Sequence, residues 1–245
     1  MTDSRGITKA RGRGIYLLPN LFTVSALFAG FYAIVSATKG LFDTAAIAIF
    51  VAMLFDGLDG RVARLTDTQS EFGAQMDSLS DMVCFGVTPA LVLYEWSLSS
   101  LGKLGWLAAF IYTVCTALRL ARFNSIDDPN DKRYSRGLTT TIAAGFIASV
   151  IWVCTQYQIS GHQINILIAI VALCVALLKV STLPYRSFKD FDARDKIPFL
   201  AVVALALVFA FIALDPPDVF FTCFFLYVLS GPAIWAWSFL RRKKA

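Results

Sequence analysis

Hydrophobic runs dominate the chain, and they arrive at a regular interval. Eight apolar segments can be read, at about 15–38, 41–64, 72–96, 104–124, 137–157, 164–183, 197–214 and 219–240. Most hold enough uncharged residues to cross a hydrocarbon layer of about 30 Å as a helix. The connections between them are short and polar. The pattern therefore predicts an all-α membrane bundle of about eight transmembrane helices, forming a single domain over 1–245. The first run, Ile15 to Thr38, is 24 uncharged residues containing Pro19, Asn20 and Thr23. It is too long for the apolar part of a cleaved leader, so it is expected to be retained.

Composition agrees with a lipid environment. Of 245 residues 57% are hydrophobic and 16% charged, with a mean hydropathy of +0.65. A water-soluble domain of that length cannot hide so much apolar surface. The five cysteines all lie in apolar runs, and none is paired with the lone His162 at a zinc spacing. A net charge of +5 looks at first like a nucleic-acid signal. Its distribution says otherwise. Of 22 Lys and Arg, all but Lys39 and Lys103 fall in or beside 1–14, 65–71, 125–136, 184–196 and the C-terminal tail. This one-sided division predicts cytoplasmic termini, an even number of spans, and a cytoplasmic (inner) membrane location, with no nucleic-acid partner.

The second and third runs break the apolar pattern. Asp56, Asp59, Gly60, Ala63 and Arg64 stand at i, i+3, i+4, i+7 and i+8, one face of a helix. After a short polar loop, Gly73, Asp77 and Asp81 repeat the four-residue spacing on the next helix. A charged Asp at the centre of a bilayer costs roughly 2.5–3.5 kcal/mol, so four of them need a compensating reason. Antiparallel packing of the two helices would bring the carboxylates together, where repulsion favours a bound cation. All-oxygen ligands suit Mg²⁺ or Mn²⁺ better than zinc. Gly60, Ala63 and Gly73 leave room for a ligand against the backbone, and Arg64 suits a phosphate. The bland alternatives are small residues that only pack helices and an arginine that only reaches the headgroups.

The spacing D-x-x-D-G-x-x-A-R, eight residues, G-x-x-x-D-x-x-x-D resembles the signature of the CDP-alcohol phosphatidyltransferase family. All eight fixed positions are present: Asp56, Asp59, Gly60, Ala63, Arg64, Gly73, Asp77 and Asp81. The resemblance implies two divalent ions held by the four aspartates, CMP as leaving group, Asp81 as general base, and a homodimer. It also implies that Asn20, Thr23, Gly60, Ala63, Arg64, Ser70 and Gly73 contact CDP-diacylglycerol. Three further segments, Asp77 to Ala90, Leu118 to Asn124 and Pro184 to Lys189, resemble the branch of the family whose acceptor is L-serine. Glycerol 3-phosphate and inositol phosphate are the competing acceptors. Where that branch often carries prolines, this chain reads Gly137-Leu-Thr-Thr-Thr-Ile-Ala-Ala144. Arg119, Arg122 and Arg186 are candidate contacts for the acceptor or a phosphate, or equally plain cytoplasmic anchors.

A transporter would spread its intramembrane carboxylates over several spans near the midplane; here they cluster on two neighbouring ones. Prenyl transfer uses Asp-rich motifs too, but normally far apart and without the Gly/Ala-Arg frame. The charge division carries its own test. In intact cells a membrane-impermeant maleimide should modify a cysteine at Ser99 or Gly161, and should miss one at Thr68. The reverse labelling would invert the topology.

Overall fold

The computed structural model describes residues 17–66, 68, 70–125, 134–186 and 213–242. Among these described residues eight α-helices follow in order. They are α1 (Leu17–Thr38), α2 (Phe42–Thr66), α3 (Glu71–Asp81), α4 (Thr88–Trp96), α5 (Lys103–Ser125), α6 (Thr140–Gln156), α7 (Asn165–Val180) and α8 (Pro216–Arg242). A π-helical turn, Met82–Val87, joins α3 to α4 without a break, so the two form the single expected third span. Among the described residues, five stretches are long and apolar enough to cross a membrane: Pro19–Thr38, Glu71–Trp96, Lys103–Ser125, Gly161–Val180 and Pro216–Trp237. The 25-residue α2 is long enough, but Asp56, Asp59, Arg61 and Arg64 crowd its second half. The expected span 197–214 lies outside the described residues except for its last two, as does the basic segment 1–14.

Small residues set the closeness of the first two helices. Ala26, Ala29, Ala33 and Ala37 on α1 are buried, as are Ala45, Ala46, Ala48 and Ala52 on α2. In lipid, where apolar burial alone does not drive association, such close backbone approach gains dispersion contacts along the whole interface. A polar ladder then ties α1 to the third span. Ser80, Cys84 and Thr88 donate to the carbonyls of Thr23, Ala26 and Gly30 at 3.3 Å each. These donors are four residues apart, and the π turn falls within their run.

That π turn has an identifiable cause. Pro89 follows it and has no N–H for the carbonyl of Phe85 four residues back. The Phe85 oxygen accepts from the buried Tyr112 hydroxyl of α5 at 3.5 Å. Gly86 lets α5 come close, since a side chain there would meet Thr116 at 3.1 Å.

On the far side, α8 lies on α6. Gly145 leaves space for Phe224, and Phe146 stacks on Phe221 at 6.2 Å. Gln156 and Tyr157 hydrogen-bond Asp215 and Asp218 at one end of this pair. Near the other end, Tyr134–Arg136 pairs antiparallel with Pro184–Arg186. These two three-residue strands are a small departure from an all-helical reading. They exist because α7 stops at Val180 and the chain turns back across the end of the bundle. Buried Tyr185, in the second strand, donates to the carbonyl of Val228 at 3.1 Å, and its ring occupies the space over Gly231.

The structure sharpens the choice of labelling position, because Thr68 is buried against Thr66 while Glu71 is exposed. It also identifies a sensitive contact. A side chain at Gly30 would meet Cys84 Sγ at 3.0 Å, whereas Gly57 has nothing within 4 Å. Gly30→Leu should lower the thermal midpoint in detergent, by about 1–3 kcal/mol of stability. Gly57→Ala should leave it unchanged or raised. Equal midpoints for Gly30→Leu and the parent would show that the α1 contact is slack.

Candidate active site

The polar ends of α2 and α3, consecutive in the chain, bring their aspartates together, as the spacing of those residues requires. Asp56, Asp59 and Asp77 each bring a carboxylate oxygen within 4.8 Å of the other two. Asp81 sits one turn deeper than Asp77, against the Asp56 carboxyl group. Its Oδ1 is buried and has no hydrogen-bond partner. Three carboxylates this close repel strongly in an apolar surround. Their donor set, all hard oxygen, fits a divalent ion such as Mg²⁺ or Mn²⁺. An unpartnered buried oxygen beside them fits the same chemistry, since a buried acceptor left without a donor is costly.

The remaining candidates fall into two groups. Thr23, buried on α1, donates to Asp59 Oδ2 at 2.9 Å and so aims that carboxylate. Ser70 caps α3 by accepting from Gly73 N–H at 3.0 Å. A side chain at Gly73 would crowd Ser70 Oγ at 3.1 Å and Asn20 Oδ1 at 3.5 Å. Asn20, Ser70 and Gly73 therefore form one small polar wall beside the aspartates. Arg64, exposed, runs along Gly60, with an Nη 3.6 Å from where a Cβ would be. Ala63 sits on the same face of α2, half-buried.

The basic candidates sit apart from that wall. Arg119 is half-buried on α5, within electrostatic reach of Asp81, and donates to the carbonyl of Lys179 at 3.5 Å. Arg122 stands in the last turn of α5, where a cation also complements the helix end. Arg186 is the residue of the second strand that pairs with Tyr134.

Sequence reading passed over three contributors. Asn124 donates to the hydroxyl of Ser78, the neighbour of Asp77, at 3.1 Å. The Ser80–Cys84–Thr88 stripe orients the helix carrying Asp77 and Asp81, and its four-residue spacing was visible. Lys179, 1% exposed, is the only charged residue of α7. A lone Lys in an apolar span is itself a signal.

Among the described residues, a cluster of hard-oxygen aspartates at the polar ends of two consecutive apolar helices suits an intramembrane phosphotransfer enzyme. The family model of the CDP-alcohol phosphatidyltransferases matches residues 16–179, and the chain belongs to that family. It is 33% identical to a CDP-diacylglycerol–serine O-phosphatidyltransferase of Helicobacter pylori over 230 residues, 94% of each chain. A protein of the same name from Methanocaldococcus jannaschii is 36% identical over 166 residues, covering 68% of this chain and 72% of that one. An archaetidylserine synthase of Methanothermobacter thermautotrophicus is 32% identical over 170 residues, 69% of each.

The Thr23 contact makes a measurable demand. Thr23→Val keeps the shape and removes the hydrogen bond to Asp59. The Mn²⁺ concentration giving half-maximal activity should rise by roughly 10-fold or more, as loss of a ligand's supporting hydrogen bond typically does. An unchanged metal requirement would separate Asp59 from the cation.

Proposed function

We propose that the chain transfers the phosphatidyl group of CDP-diacylglycerol to the hydroxyl of L-serine, giving phosphatidylserine and CMP at the cytoplasmic face of the inner membrane. Family membership and the names of the relatives support the reaction class and the acceptor. The observation that carries the mechanism is the buried, unpartnered Oδ1 of Asp81 beside the other three carboxylates.

In this reading Asp56, Asp59, Asp77 and Asp81 hold two divalent ions. Bound there, Mg²⁺ or Mn²⁺ would neutralise the diphosphate and the charge that develops on the departing CMP oxygen. The protein's own groups do the rest. Asn20, Thr23, Ser70 and Gly73 bound the CDP-diacylglycerol site on the α1 and α3 sides. Gly60, Ala63 and Arg64 bound it on α2, where the guanidinium meets a phosphate oxygen. Asp81 accepts the proton of the serine hydroxyl as its oxygen attacks the lipid-side phosphorus. The new P–O bond forms to serine, the P–O bond to CMP breaks, and the bonding pair leaves with CMP. Arg119 faces the serine carboxylate, and Arg122 and Arg186 are further candidate contacts for the acceptor or a phosphate. A second copy of the chain, forming a homodimer, follows from the family alone.

Purified protein with CDP-diacylglycerol and Mn²⁺ should release CMP with L-serine, and mass analysis should find phosphatidylserine. Product from glycerol 3-phosphate with serine inert would keep the reaction class and replace the acceptor. In the same assay Asp81→Asn should bind CDP-diacylglycerol yet lose turnover by a factor on the order of 10² or more. Turnover near the parent rate would remove Asp81 as the base.

A further inference from the structure

Lys179 has no part in the chemistry above, yet the bundle accepts the cost of burying it. Its residue is 1% exposed in the last turn of α7. Its ammonium donates to the hydroxyl of Thr116 at 2.7 Å and lies 3.1 Å from the centre of the Tyr112 ring. Among the described residues no carboxylate pairs with it. An ammonium held by one hydroxyl and a ring face is poorly compensated for desolvation. Packing alone would be better served by Leu or Met.

The other end of the same residue explains the placement. α7 ends at Val180, so the carbonyl of Lys179 lacks a helical partner. It accepts from Arg119 at 3.5 Å. Thr116 and Arg119 are three apart, on one face of α5. Lys179 thus grips α5 twice, by its amine at Thr116 and by its carbonyl at Arg119. Tyr112, under the ammonium, donates to Phe85 in the π turn directly after Asp81, and Thr116 packs on Gly86 of that turn. On the outer side Gly137, at φ +83°, closes over the same helix end; a side chain there would meet the Lys179 carbonyl at 2.5 Å.

We propose that Lys179 is a positioning residue for the acceptor side of the site: its double grip on α5 holds Arg119 and the π turn behind Asp81 in register with each other. The inference rests on the reading of Arg119 as the residue that meets the serine carboxylate.

The experiment compares Lys179→Met, Thr116→Val and Arg119→Gln in detergent, each checked for a folded bundle by its thermal transition. Lys179→Met keeps the stem and removes the ammonium. The KM for L-serine should rise on the order of tenfold, as expected when a binding group is misplaced by a fraction of an ångström. The KM for CDP-diacylglycerol should stay within twofold of the parent. Thr116→Val should move the same constant in the same direction, and it carries the test if Lys179→Met does not fold. Adding Thr116→Val to Lys179→Met should give little further change, because both remove one contact. A lowered thermal midpoint with both KM values unchanged would make Lys179 a purely structural residue and overturn the proposal. A serine KM that is also unmoved by Arg119→Gln would instead remove the reading on which it rests.

Discussion

Carboxylates on neighbouring helices repel one another, and in lipid little solvent screens them. Everything at the polar end of this bundle answers that constraint. α2 and α3 must face each other to build the site, and left alone Asp56, Asp59 and Asp77 would push them apart. The restraint comes from α1. Its alanine face lies flush on α2, its carbonyls accept from Ser80, Cys84 and Thr88, and Thr23 reaches across to Asp59. A bound divalent cation would turn the remaining repulsion into attraction, so the same cluster costs stability when empty and contributes to it when filled.

The third span shows how a local defect becomes useful. Pro89 denies a hydrogen bond to Phe85 and the helix widens into a π turn. Such insertions recur at functional sites. Here the Phe85 carbonyl accepts from Tyr112, and the Tyr112 ring in turn lies under the Lys179 ammonium. A chain of contacts therefore runs from the end of α7, through α5, to the turn that follows Asp81. Arg119 on α5 and the aspartates on α2 and α3 lie on different helices, and these contacts link α5 to the turn that follows Asp81.

Much of this was legible in the order of residues. Hydrophobic runs of bilayer length can be nothing but spanning helices, because lipid offers no partner to an open backbone. Two carboxylates three apart and two more four apart each have to share a helix face, and a short loop has to turn those faces together. Among the described residues seven of the expected apolar runs appear as helices near their expected limits, five of them long and apolar enough to cross a membrane, and the aspartates of the signature converge as their spacing demands.

What the sequence could not determine is which partners each polar side chain finds across helices, because those depend on rotation and depth, not on local period. Ser70 reads as a ligand contact, yet it also caps α3. Nothing near Gly137 in the chain reveals that it closes on the end of α7, more than forty residues away. Lys179 reads only as an oddity in an apolar run until the fold sets Thr116 and Tyr112 beneath it. Helical periodicity decides which residues share a face; only tertiary packing decides what that face meets.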